Sequence, residues 1–523
     1  MVAIIEPKVH VVGFGPHLVL ENGQEITTDE FVYGAAAITY KDVGTVREMI
    51  EMKQKDEDIA ETVRKSLIKS AGSGHASMAT TPGFWIYLEG NCSKAVDSIF
   101  TGARFSSSLM PSGRRIPVVK EQIVVPRGLH DKGNGLENLY IKASEANIDA
   151  YEKLQEQGVP KEEAAKIVQY GHRGGGFIFM PLETLISFSR NADGNLMPRE
   201  GREIIKHLEE FIHSHGMSVT YEARKAAPRT GCPNPNIFHD RKNLAQELVD
   251  RNYKGALNHP VLLSETEISS NERDKRIGEY LARRTQAFRT LEGVEQNWQS
   301  ALRELELIVE DFNDSVSVKT IANSPLRVWG EVKRHRTLPQ TTESVYHAVD
   351  RALDVLRYST QTGNLETLSN LFFNVVSIPP SVKQDPEKLR LWLDRFKDSI
   401  QVYDELVQSG VDKSDAILVV PRGLKLGIVK TYDLYNLTTG YMSLRLCKTA
   451  EAEMRSTTLA EKKLVLDSGL SQPIKSLIDP KCHYVGFCPD NNCGIVKGCT
   501  PEYNDDFHKR MKKVLEADIR GKL

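Results

Sequence analysis

Arg334, His335 and Arg336 form a cationic triplet, and Ser344 follows Arg336 after seven residues. The interval holds Thr337, Thr341, Thr342 and Glu343, so hydroxyls and a carboxylate trail the cations. An Arg offers a planar fork that pairs bidentately with phosphate oxygens, and Ser or Thr hydroxyls complete such a grip. The pattern therefore suits a phosphate-bearing ligand. Ser344 is a candidate catalytic residue and a candidate substrate-binding hydroxyl; no base is assigned to it, which favours binding. Taken alone, Lys333-Arg334-His335-Arg336 reads better as a solvated basic turn or a nucleic-acid patch. The rest of the chain decides against that reading.

The triplet is positioned by the run Ser324 to Val332, predicted as a helix with Ser324 as its cap and Pro325 in its first turn. The triplet then falls at the carboxyl end, where the helix dipole tolerates cations, and Pro339 makes the continuation a loop. The first half of the chain has a similar order. Asp56 to Ser70 carries helical periodicity through Ile59, Val63 and Leu67, and leads to Gly74-His75-Ala76-Ser77. An apolar strand, Gly83 to Leu88, precedes a helix from Ala95 to Phe100. Arg104 and Ser112 then stand at the same interval as Arg336 and Ser344. Near the start, Glu21-Asn22-Gly23 predicts a hairpin turn.

The halves repeat elsewhere. Tyr151, Leu154, Gly158, Val159, Lys161 and Ala164 recur as Tyr403, Leu406, Gly410, Val411, Lys413 and Ala416 with identical internal spacing. This is a helix ending on a Gly cap, then a second helix. Arg190 has its counterpart in Arg445. The three echoes are offset by 232, 252 and 255 residues in one order, which marks a diverged tandem duplication rather than a solenoid. The expected domains are 1–225 and 226–523, joined by the Pro-rich stretch around Pro228, Pro233 and Pro235. Charged helices over roughly 266–312 are expected as scaffold or dimer contact.

Composition narrows the class. With 523 residues, 40% hydrophobic and 26% charged, the chain is an ordinary globular one with room for several cores. A formal charge of −2 gives no global attraction to nucleic acid or anionic membrane, so phosphate recognition must be local. The first residues have no signal-peptide pattern and no apolar run reaches membrane-spanning length, so the expectation is cytoplasmic. Seven cysteines do not make a disulfide framework. Four of them, Cys482, Cys488, Cys493 and Cys499, lie close together without Cys-x-x-Cys pairs, so no metal is assigned. His172-Arg173-Gly174-Gly175-Gly176 lacks the Gly-Lys-Ser/Thr ending of a phosphate loop and is expected to be a flexible turn.

The triplet with Ser344 resembles the Arg-His-Arg, seven residues, Ser signature of the flavin-dependent thymidylate synthases. Gly74-His75-Ala76-Ser77 resembles that family's Gly-His-x-Ser/Thr element, which contacts flavin. Ser112-Gly113-Arg114 resembles its nucleotide-binding loop. Leu444-Arg445 with Ala450 and Glu453 resembles the stretch whose Arg faces the pyrimidine, and Val419-Val420-Pro421 resembles its Leu-Pro element. The resemblance implies an α+β fold of two tandem domains, each an antiparallel sheet with helices, forming a pseudo-dimer, and a homodimer of such chains. It implies FAD as cofactor, NADPH and methylene-tetrahydrofolate as co-substrates, and methylation of a dUMP-type nucleotide. Arg445 is then the catalytic candidate; His75, Ser77, Arg334, His335 and Arg336 hold the flavin; Arg334, Ser344, Arg445, Arg104, Ser112, Arg114 and Arg190 meet the substrate.

The first half departs from the pattern, with Gly102-Ala103 in place of Arg-His and Met110 in place of a carboxylate. The second half has the triplet and lacks a Gly-His-x-Ser near Val309. The halves are complementary, and half the ancestral sites are expected to work. The departures keep two alternatives open: a related flavin-dependent pyrimidine-nucleotide modification, and a non-catalytic flavin- or nucleotide-binding homologue.

Overall fold

The computed structural model describes residues 3–522 apart from 40, 42–43, 56–57, 112–115, 134, 229–230, 232, 252–258, 360–363 and 490–504. It is an α+β structure with antiparallel sheets, grouped into two compact units. One unit comprises Met1–Arg241 with Ser344–Leu424, the other Lys242–Glu343 with Lys425–Leu523. The repeats are divisions of sequence; the compact units draw 344–424 out of the second repeat and into the first unit.

In the first unit, β1 (Pro7–Gly15), β2 (Gly83–Gly90), β3 (Ser107–Leu109) and β4 (Gly176–Pro181) form an antiparallel sheet ordered β1-β2-β4-β3. β2 alternates as its sequence demands: Phe84, Ile86 and Leu88 are buried while Trp85 and Tyr87 are exposed. The helix Ala60–Gly72 buries Val63 and Leu67 beside Ile59, matching the expected period. The hairpin at Gly23 joins Leu18–Val19 to Glu25–Ile26. His172 to Gly176 is not the loose turn expected. Arg173 N donates to Gln122 O at 2.7 Å and Gly174 N to Cys92 O at 2.6 Å. A Cβ on Gly174 would lie 2.2 Å from Ser93 O, so these glycines are required by close backbone approach. A longer helix, α1 (Leu136–Glu156), buries Tyr151 and Leu154.

In the second unit, β5 (Val261–Glu267), β6 (Val316–Pro325), β7 (Gln340–Thr342) and β8 (Lys425–Tyr432) form an antiparallel sheet in the order β5-β6-β8-β7. Numbered within each unit, both sheets have the strand order 1-2-4-3. The helix α2 (Leu244–Asp250), capped by Asn243, packs Ala245, Leu248 and Val249 on Ile321 and Val429 of this sheet. The charged stretch becomes two helices, Asn271–Ala287 and Leu291–Phe312, capped by Ser270 and Thr290 and cross-linked by ion pairs Arg276–Asp311 and Arg283–Glu304.

Within the first unit, α1 packs on α3 (Pro386–Gln408), its counterpart in the repeat. Asn147 Nδ2 donates to Ser399 Oγ at 3.0 Å, and Ser399 Oγ lies 3.2 Å from Asn147 Oδ1. These residues are 252 apart, the offset of the helical echo. The same exchange governs the backbone beyond both helices. Gly171 N donates to Leu418 O and Gly423 N to Lys166 O, each at 2.7 Å. Tyr170 N to Val420 O, 3.1 Å, is matched by Arg422 N to Val168 O, 3.0 Å, around the Gln169–Pro421 bridge. Adding 252 to one partner and removing it from the other converts each bond into its mate, the pattern of a self-complementary contact between equivalent copies.

Candidate functional site

β6 runs directly into the helix Leu326–Val332. Ser324 pairs with Leu426 and Pro325 with Lys425 in the sheet, so Ser324 is a strand residue and not the expected helix cap. Pro325 holds the cap position with extended backbone, ψ 152°, and no side chain caps the helix. The strand's hydrogen bonds already fix the entry to the helix, which removes the need for a hydroxyl. Leu326, Val328, Trp329 and Val332 are buried and pin this short helix. Beyond it the chain turns: His335 N donates to Val332 O and Leu338 N to His335 O, both at 3.0 Å. Leu338 is buried, and Asn436 Nδ2 donates to Thr337 O at 3.1 Å, so the triplet rides on an anchored turn.

The helix Tyr441–Arg445 brings in the residue that the resemblance implied. Arg445 Nε donates to His335 Nε2 at 2.8 Å, although 110 residues separate them. A guanidinium can only donate, so Nε2 is the acceptor and the neutral ring carries its proton on Nδ1. Burial first, then the charges of Arg445 and Lys430, push the His335 pKa down to about 3, which keeps the ring neutral near pH 7. The ring packs edge-on to Tyr441, with centroids 4.8 Å apart. Arg445 Nη1 lies 3.3 Å from Glu331 Oε2, and Arg327 Nη1 lies 3.4 Å from Glu331 Oε1. Arg336 is held below the usual guanidinium range by burial and by Arg334.

Behind His335 sits a buried pair. Lys430 Nζ and Glu461 Oε2 are 2.7 Å apart, with side chains 1% and 0% exposed. Glu461 also accepts from Tyr432 OH at 2.8 Å and Thr320 Oγ1 at 2.7 Å. Lys430 Nζ stands 5.3 Å from the centroid of the Tyr441 ring, which links the pair to the ring packed on His335. Glu331, Lys430, Tyr441 and Glu461 were absent from the expected site. The Arg327–Glu331 spacing of four residues was a legible helical pairing signal; Lys430 showed only as a charge inside an apolar strand.

The other expected residues are spread over separate elements. Ser344 is fully buried in the first unit, where its hydroxyl donates to His239 O and accepts from Tyr346 N at 3.2 Å. It thereby serves the start of the helix Val345–Ser359. His75 and Ser77 are exposed, after the Gly74 turn at φ 97° and at the start of the helix Ser77–Thr80. Arg104 is exposed, and its backbone N donates to Asn234 Oδ1 at 3.2 Å. Arg190 ends the helix Leu182–Ala192 and donates from Nη2 to Lys225 O at 3.0 Å. Ser112 and Arg114 lie outside the described residues, as do Cys493 and Cys499. Among the described residues no helix is long and apolar enough to cross a membrane.

Arg327 and Arg445 therefore share the single carboxylate of Glu331, with Arg334 and Arg336 on the adjoining turn. Such a set of guanidiniums with a neutral imidazole fits an anionic ligand carrying phosphate, as a nucleotide or a flavin dinucleotide does.

Residues 24–213 and 316–467 match the family model described as thymidylate synthase complementing protein. A flavin-dependent thymidylate synthase of Thermococcus onnurineus is 30% identical over 127 residues, 23% of this chain and 50% of that protein. Another, of Pyrococcus abyssi, is 27% identical over 140 residues, 26% of this chain and 57% of that protein. The chain thus spans about half the length of the curated relatives it matches. Among solved structures, a UMP/dUMP methylase of Streptomyces cacaoi bound with 5-Br dUMP aligns at 15% identity and TM-score 0.35, covering 44% of this chain and 100% of that one.

Proposed function

The chain belongs to the thymidylate synthase complementing protein family as a diverged tandem duplication, and we propose that it is a flavin-dependent thymidylate synthase. The reaction is reductive methylation of dUMP to dTMP, with methylene-tetrahydrofolate and NAD(P)H as co-substrates. The observation that carries this reading is the Arg445–His335 hydrogen bond, which joins the triplet to the Arg of the pyrimidine-facing stretch.

Methylating C5 of a uracil ring requires charge to build on the ring's carbonyl edge. A guanidinium already fixed in place stabilises that charge without reorganising. Arg445, held by His335 and Glu331, takes this part. His335, neutral with its proton on Nδ1, is a donor toward the flavin, beside Arg334 and Arg336. By the family resemblance, His75 and Ser77 are flavin-contacting residues of the first repeat. By the same resemblance, Arg334, Ser112 and Arg114 are assigned to the nucleotide phosphate, with Arg190 as the weaker counterpart of Arg445 and Arg104 as the first-half echo of Arg336. Ser344, buried and bonded to His239 O, is left to the start of its helix. Bound FAD would supply the hydride that reduces the transferred one-carbon unit. The 252-residue exchange of hydrogen bonds supports reading the repeats as a pseudo-dimer; a homodimer of such chains, a pseudo-tetramer, is what the family resemblance implies.

Tritium release from C5-labelled dUMP, in the presence of FAD, NADPH and methylene-tetrahydrofolate, tests the reading. Wild type should release tritium, and Arg445→Ala should lose roughly 100-fold or more in rate. A chain that cannot be reconstituted with flavin would refute the proposal.

A further inference from the structure

Arg327 is the second residue of the helix that leads to the triplet, and only 8% of it is exposed. Its Nη1 meets Glu331, but its Nε and Nη2 are buried without a hydrogen-bond partner. Nε and Nη2 form the edge of a guanidinium that takes two oxygens of one anion. Two other deeply buried arginines fill that edge. Arg224 gives Nε and Nη2 to the two oxygens of Glu183 at 2.8 and 2.7 Å. Arg273 gives Nε to Asp274 and Nη2 to Glu267. Orphaned charged donors are costly in a fold and are retained where a ligand completes them.

The location narrows the ligand. Glu331 gives one oxygen to Arg327 and the other to Arg445, so both guanidiniums border the same carboxylate. One carboxylate divided between two guanidiniums leaves the Nε and Nη2 edge of Arg327 uncovered. Resting on the nucleotide and flavin reading above, we propose that Arg327 is a further phosphoryl-binding residue of this site, its Nε and Nη2 donating to two oxygens of one phosphate group. That group belongs either to the pyrimidine nucleotide or to the diphosphate of the flavin. Position 327 lies outside the Arg-His-Arg, seven residues, Ser signature.

The test uses the full chain with Arg327→Met and Arg327→Lys. Calorimetric titration with dUMP and with FAD gives affinities, and thermal melting without ligand gives stability. Arg327→Met should weaken one of the two ligands at least tenfold, and Arg327→Lys should not restore it, because one ammonium cannot make a bidentate contact. Loss of dUMP affinity assigns the nucleotide phosphate; loss of FAD affinity assigns the diphosphate. The ligand-free melting temperature should hold or rise, since two buried donors without partners have gone and Glu331 keeps Arg445. Unchanged affinity for both ligands overturns the proposal, as does full recovery in Arg327→Lys. If Arg327→Met does not fold, Arg327→Lys alone carries the affinity test. Should wild type bind neither FAD nor dUMP, the synthase reading fails by itself. The melting shift produced by inorganic pyrophosphate then decides: lost in the variants, Arg327 is the phosphoryl ligand; absent in wild type or retained in the variants, it is not.

Discussion

Lys430→Met would strip the ammonium from Glu461 and leave a carboxylate with no exposure to water. Breaking one side of a buried ion pair costs about 3–5 kcal/mol, because the remaining charge is uncompensated. Here Tyr432 OH and Thr320 Oγ1 still donate to Glu461, which places the expected loss near the lower end, about 3 kcal/mol. The double variant Lys430→Met, Glu461→Gln removes both charges; its amide oxygen can accept from Tyr432 OH while its NH2 donates to Thr320 Oγ1, a hydroxyl that accepts as well as donates. It should return to within about 1 kcal/mol of wild type, since neutral replacement of a buried pair is often tolerated. The coupling energy of the cycle is then about 2 kcal/mol or more. Urea unfolding of the full chain, followed by tryptophan fluorescence, measures it; Trp329, fully buried in the same unit, is a reporter. A loss below about 1 kcal/mol in the single variant, or additive effects in the double, would refute the buried pair and with it the platform under Tyr441 and His335.

His335 should remain neutral, with its proton on Nδ1, from pH 5 to pH 9 in ring nitrogen NMR spectra; a midpoint near the ordinary histidine value would refute the Arg445 contact. Burial pushes Glu200 up to about 7, above an ordinary carboxylate, despite hydrogen bonds from Ser93. Its ionisation therefore opposes folding: the associated stability is present below the unfolded pKa and is lost as pH rises through about 7. The loss is about 3 kcal/mol at most. Glu200→Gln should flatten the fall in melting temperature between pH 5 and pH 8, and a variant with an unchanged profile contradicts this. Asp415, pushed up to about 6 by burial, acts in the same sense and should leave a residual slope. Gly171→Ala and Gly423→Ala should each destabilise the first unit by about 1–3 kcal/mol in urea titrations. A Cβ at these sites would lie 1.6 Å from Tyr140 OH and 2.6 Å from Phe396 Cζ, respectively. If either variant matches wild type, the backbone crossing is looser than described.

Much of this protein follows from local sequence. The alternation of Phe84, Ile86 and Leu88 with Trp85 and Tyr87 makes a strand with one buried face, because side chains on a pleat point to opposite sides. Gly158 and Gly410 adopt φ 82° and 80°, so both helical echoes end on left-handed glycines as their spacing implied. The ordered offsets revealed the duplication, and the triplet was legible as the cationic turn that Arg445 meets. What tertiary structure decided is which distant groups meet. Arg445 reaches His335 because two strands and a turn bring their helices together, and no local period encodes a contact across 110 residues. Glu331 was visible beside the triplet, yet only packing showed its two oxygens divided between Arg327 and Arg445. Ser324 looked like a helix cap from its neighbours, but sheet pairing had already claimed it, since ladder hydrogen bonds come from chain far away. The division into compact units has the same origin: residues 344–424 join the first unit through α3 packing on α1, a long-range burial that local composition does not report.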